Sequence, residues 1–128
     1  MNRKSLVNEA GARFHADDDD SFLRCFDPGV KIYSEPELAE QPIVSSRDEL
    51  VAIRADIKRR FPRLEATLAD VEEHDGGVVA DALIVVPAEA EAEECWRVAL
   101  AVAFEDGVIS QVRTFWEREE AIRALDGS

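Results

Sequence analysis

Much that would declare a function is missing from these 128 residues. Two cysteines, Cys25 and Cys95, are too few for a disulfide framework, and both lie within apolar patterns, so buried free thiols of a reducing compartment are expected. Two histidines, His15 and His74, stand far apart without ligand spacing, so neither zinc nor any other metal or cofactor is expected. There is no glycine-rich phosphate loop and no Gly-x-Ser-x-Gly elbow. No apolar run is long enough to span a bilayer, and Met1-Asn2-Arg3-Lys4 is followed by no signal-like apolar stretch, so the cytoplasm is the expected location. Positive charge is scarce: 15 Lys and Arg against 28 Asp and Glu give a formal net charge of −13. Binding phosphates needs a positive surface, so neither nucleic acid nor an anionic membrane is an expected partner. The one basic cluster, Lys58-Arg59-Arg60 with Arg63, falls at a predicted helix end, where cations complement the dipole.

What is present suits one soluble globular domain spanning residues 1–128, because 46% of residues are hydrophobic and 34% charged. Ser5 to Ala16 reads as a helix with Leu6, Val7, Ala10 and Phe14 on one side. The run Asp17-Asp18-Asp19-Asp20 lacks the alternation and closing Glu of a calcium loop, and one of its members is expected to cap a short helix through Phe26. Asp27-Pro28-Gly29 reads as the turn that stops this helix, and Val30 to Glu35 as a strand ended by Pro36. Ser46-Arg47-Asp48-Glu49 has the form of a capping box, opening a helix to about Arg60 with Leu50, Ile53, Ile57 and Phe61 inward.

Strands are expected over about 64–73 and 78–86, joined through His74-Asp75-Gly76-Gly77. Residues 87–93 form an acidic loop, and Glu117 to Leu125 a closing helix. Between them lies a hairpin, Cys95 to Phe104, Glu105-Asp106-Gly107, then Val108 to Trp116. Trp96, Val98, Leu100, Val102 and Phe104 alternate on one face, while Cys95, Arg97, Ala99, Ala101 and Ala103 make the other small and almost uncharged. A strand with one wet face carries more polar residues, so both faces are expected to be covered, one lining a cavity and the other meeting something else. If that something is a second copy of the chain, Ala101→Glu would give a folded monomer. The order helix, helix, strand, helix and four antiparallel strands means α+β, a curled sheet with helices packed on one face and an apolar pocket enclosed between them.

This order resembles the nuclear transport factor 2-like superfamily, in particular its SnoaL-like and ketosteroid-isomerase-like branch. The matching stretches are residues 13–17 with 22–28, 45–57, and 104–109 followed by Arg113-Thr114-Phe115-Trp116. The resemblance implies a cone-shaped fold, an apolar pocket and a homodimer formed through the sheet. Isomerase chemistry in that family uses a tyrosine and a protonated aspartate as hydrogen-bond donors. Ala10 and Leu100 fall at those positions here, and neither can donate, which disfavours steroid isomerisation. The family's base sits just before a proline after the first strand, where Glu35-Pro36 stands, with Tyr33 two residues earlier on the same face.

The expected pocket lining is therefore Phe14, Tyr33, Glu35, Phe61, Trp96, Val98, Leu100, Val112, Thr114 and Trp116, with Glu35 and Tyr33 as the candidate catalytic pair. The expected dimer contact is Cys95, Arg97, Ala99, Ala101 and Ala103. His15 offers either acid–base chemistry or a helix-end charge, and Asp70 and Asp81 lie in strands whose facing depends on register. Three functions fit: a domain that binds a small apolar molecule, a cofactor-independent isomerase, cyclase or hydrolase using Glu35 as base, and a dimerisation module without a reaction.

Overall fold

A computed structural model describes residues 2–15, 18–33, 43–86 and 94–126. The chain order is α1 (Arg3–Arg13), α2 (Asp19–Leu23), β1 (Phe26–Tyr33), α3 (Arg47–Arg60), β2 (Glu65–His74), β3 (Gly77–Val86), β4 (Glu94–Glu105), β5 (Val108–Phe115) and α4 (Arg118–Asp126). The strands form one sheet in the order β1-β5-β4-β3-β2. β2 to β5 are the expected antiparallel meander, but β1 pairs with β5 in parallel, so the sheet is mixed.

Local chemistry explains most of the boundaries. Asn2 accepts from the Ser5 amide at 2.7 Å and starts α1, while Asp18 accepts from Ser21 and starts α2. Ser46 caps α3 through the Glu49 amide, and the Glu49 carboxylate returns to the Ser45 amide at 2.9 Å, one residue earlier than a strict capping box. Asp27-Pro28-Gly29 is not a turn before the strand. It lies inside β1, where the register slips between Phe26 and Lys31 and the Asp27 carboxylate accepts from the Gly29 amide.

The face of the sheet carrying Val78, Ala80, Leu100, Val102 and Val112 packs against α1, α2 and α3 with Leu6, Val7, Ala10, Phe22, Phe26 and Leu50. Gly11 lets α1 press onto β2, since a Cβ there would meet the Leu68 side chain at 2.8 Å. Arginines tie these helices to backbone carbonyls: Arg3 donates to His74 O at 2.8 Å, and Arg47 donates twice to Phe26 O. The opposite face carries a second, smaller core in which Val79, Ala99 and Ala101 lie under Ala121 and Leu125 of α4. The helices are therefore not all on one face: α4 covers the back of the sheet.

Candidate functional site

A partly enclosed depression lies where α1 and α3 both end above the start of β2. Phe14, His15, Ile57, Lys58, Phe61, Pro62 and Leu64 line it, around a volume of about 250 Å³. Each wall has a local cause. Phe14 follows the last turn of α1 and packs edge-on against Phe22, ring centres 6.1 Å apart, and against His15 at 5.2 Å. At the end of α3, the Phe61 amide still donates to Ile57 O, and Leu64 turns back to donate to Phe61 O at 3.0 Å. Pro62 cannot continue the helix, so Phe61 is left outward and 45% exposed.

Beneath the cleft sits a residue that the apolar stripe of α3 concealed. Arg54 is 4% exposed, donates to Phe14 O at 3.0 Å, pairs with Asp19 and stacks over the Phe22 ring at 5.1 Å. It holds the end of α1 to the start of α2, and so fixes where Phe14 and His15 stand. The signal in the sequence was an arginine four residues after Leu50, on the face shared with Ile53 and Ile57. His15 Nε2 lies 3.1 Å from the carbonyl and 3.2 Å from the amide of Ala66; which one it engages depends on the ring tautomer. Ala66 pairs with Ile84, and Ile84 with Trp96, so one row of the sheet runs from the cleft to a tryptophan that is 50% exposed.

Of the expected lining residues, the structure brings Phe14 and Phe61 together in the cleft. Val98, Leu100, Val112 and Thr114 share the same sheet face through the pairs Ala82↔Val98, Leu100↔Thr114 and Val102↔Val112, but Leu100 and Val112 are spent on the main core. Trp116 follows the last residue of β5 and is 52% exposed. Tyr33 does not face the cleft. Val30 and Ile32 point into the main core, and Tyr33 stands instead beside Arg113, whose guanidinium lies 5.5 Å from its ring. Glu35 lies outside the described residues. Among the described residues no carboxylate lines the cleft, and no group of His, Cys, Asp or Glu has the arrangement to hold a metal ion.

The expected dimer face is also redrawn. Ala99 and Ala101 are each 2% exposed because α4 of the same chain covers them, so a second copy is not needed to explain their apolarity. Of the two thiols expected to be buried, Cys25 is and Cys95 is exposed, near the start of β4, while Ala103 is half-buried. Arg97 belongs to a charge network on this face: Asp81, buried in β3, receives Arg97 on one oxygen and Arg118 on the other at 3.1 Å. Arg118 also donates to Asp70 O at 2.7 Å and Arg97 to the Asp70 carboxylate at 3.2 Å. Asp70 adopts a positive φ of 50° where β2 bulges, a conformation that aspartate tolerates. Burial alone would raise the Asp81 carboxyl, but the hydrogen bonds from Arg97 and Arg118 outweigh it and hold it below the usual carboxylate range. Asp70 and Asp81 thus serve the back of the sheet and the docking of α4, away from the cleft.

These elements define an α+β cone: three helices on one face of a mixed five-stranded sheet, a cleft at the helix ends and a fourth helix behind. The chain has the nuclear transport factor 2-like fold, shared with SnoaL-like proteins. A nuclear transport factor 2-like protein of unknown function from Burkholderia pseudomallei is 18% identical, with 98% of each chain covered and a TM-score of 0.72. A putative SnoaL-like polyketide cyclase from Jannaschia sp. is 17% identical over 98% of this chain and 90% of its own, with a TM-score of 0.68. TerC, crystallised with polyporic acid, is 13% identical over 99% of this chain and 100% of its own, with a TM-score of 0.72. No family model and no curated protein matches the sequence. No helix among the described residues is long and apolar enough to cross a membrane.

Proposed function

We propose that the protein binds a small apolar molecule in the cleft formed by the ends of α1 and α3 and the start of β2. The carrying observation is the lining itself: Phe14, Ile57, Phe61, Pro62 and Leu64 supply apolar walls, and His15 and Lys58 are the polar groups. Ligand sites have this composition, mostly apolar with a few polar groups that orient the guest. Leaving Phe61 45% exposed wastes apolar surface unless something covers it. TerC, a protein of similar fold, was co-crystallised with polyporic acid, which supports the reading by analogy of fold. Among the described residues the cleft has no carboxylate and Tyr33 faces away from it, so the proposal is confined to binding.

The test is a titration with 1-anilinonaphthalene-8-sulfonate, a dye whose emission rises in apolar sites. The wild type is expected to show saturable, one-to-one enhancement, and Phe61→Ser to weaken it about tenfold or more, the loss of one aromatic wall. Since Phe61 is exposed, the variant should unfold at the same denaturant concentration as the wild type. Enhancement that never saturates, or that Phe61→Ser leaves unchanged, would refute a binding cleft at this place.

A further inference from the structure

The end of α3 gathers positive charge that the rest of the chain lacks. Arg54, Lys58, Arg59, Arg60 and Arg63 are five of the 15 Lys and Arg, and residues 54–63 hold a single carboxylate, Asp56. Most of this charge has a local cause. Arg54 pairs with Asp19, Arg59 and Arg60 share Asp56, and Lys58, Arg59 and Arg60 stand in the last turn, where they complement the helix dipole. Arg63 has neither cause. It lies beyond the end of α3, is exposed, and makes no hydrogen bond or ion pair.

A turn fixes where Arg63 stands. The Leu64 amide donates to Phe61 O at 3.0 Å, which closes a four-residue reversal with Pro62 and Arg63 at its tip. Phe61, Pro62 and Leu64 are all walls of the cleft, so the turn holds Arg63 at the rim. Lys58, three residues before Phe61 on the same side of α3, lines the cleft itself. Glu65 is the next carboxylate along the chain, but it pairs with Val85 and Val85 with Cys95, which puts it on the back of the sheet.

We propose that the guest of this cleft is an apolar molecule carrying one anionic group, an inference that rests on reading the cleft as a binding site. The apolar body lies against Phe61, Pro62 and Leu64, and Lys58 and Arg63 take the anion by charge-assisted hydrogen bonds. Charge complementarity carries the choice. A body of net charge −13 repels anions from most of its surface, and a lining with Lys58, an Arg63 rim and, among the described residues, no carboxylate reverses that locally.

The test titrates the full chain with two dyes that share one apolar body, 1-anilinonaphthalene-8-sulfonate and N-phenyl-1-naphthylamine, which lacks the sulfonate. The neutral dye is the more apolar, so the walls alone would favour it. The proposal predicts the reverse: the sulfonate binds about tenfold more tightly at about 20 mM salt, and the preference shrinks several-fold at about 300 mM. Arg63→Gln and Lys58→Gln should each weaken the sulfonate about threefold or more, and unaltered binding of the neutral dye reports that the cleft is intact. Phe61→Ser should weaken both dyes. If Phe61→Ser weakens both but the neutral dye binds as tightly as the sulfonate, or Arg63→Gln leaves the sulfonate unchanged, the anionic guest is overturned and the cleft stands. If neither dye saturates, or Phe61→Ser affects neither, the cleft reading and this proposal fall together.

Discussion

The front of the sheet and its back are covered by different means. On the front, three helices bury phenylalanines, valines and leucines, and the few polar groups that enter, such as Arg54, are satisfied by backbone carbonyls and a carboxylate. On the back, one short helix covers only the strand centres, where Val79, Ala99 and Ala101 are small enough to admit it, and a network around Asp81 holds its first residue. The front leaves Phe61 outward at the cleft and Trp96 half-exposed at the far end of the row that starts there. The back leaves the charged groups of Arg97 and Asp70 outward around the buried Asp81. The comparison teaches that the two faces leave different groups outward, apolar surface on one side and charge on the other.

Ala101→Glu breaks the comparison most severely. Its carboxylate would have to enter the dry contact between β4 and α4, at an expected loss of more than about 3 kcal/mol in urea unfolding. A folded monomer of normal stability would instead restore the reading of Ala101 as a dimer contact. Next is Asp81→Asn, which leaves two arginines without their shared charge. Because both are partly exposed and can be rehydrated, the expected cost at pH 7 is about 2 kcal/mol. Asp81 is depressed in the folded state, so its stabilisation is present above the ordinary carboxylate pKa of 3.8 and fades as pH falls through the lower folded value. The gap between wild type and variant should therefore be widest near neutrality and close below about pH 4. A gap that widens toward acid would contradict the network. The smallest effect belongs to the front face, where Ser46→Ala should cost about 1 kcal/mol by removing the cap of α3.

How much of this could be read from the residues depended on whether the signal was local. The capping box of α3, the alternation of β4 and the turn between β4 and β5 at Asp106-Gly107, where both residues have positive φ, are written within a few positions, and all appear as expected. β1 was less legible, since its partner β5 lies far along the chain and the bulge after Phe26 is a register event. Even so, the facing of Tyr33 was written in its neighbours: Val30 and Ile32 are the apolar members of the alternation, which leaves Lys31 and Tyr33 on the other side. The alanines of β4 announced a covered face but not the cover, because a helix of the same chain and a second copy ask for the same small residues. Of the cleft, Phe14 and Phe61 carry an apolar signal in the sequence, although Phe61 is half-exposed rather than inward, while Arg54 is concealed within an otherwise apolar helix stripe.

The central claim, that the cleft between α1, α3 and β2 receives an apolar guest, is tested most directly by intermolecular nuclear Overhauser contacts in the complex with 1-anilinonaphthalene-8-sulfonate. The account predicts contacts from the dye to the methyl groups of Ile57 and Leu64 and to the rings of Phe14 and Phe61. Contacts confined to other residues, such as Ile43 on the back of the sheet, would contradict it.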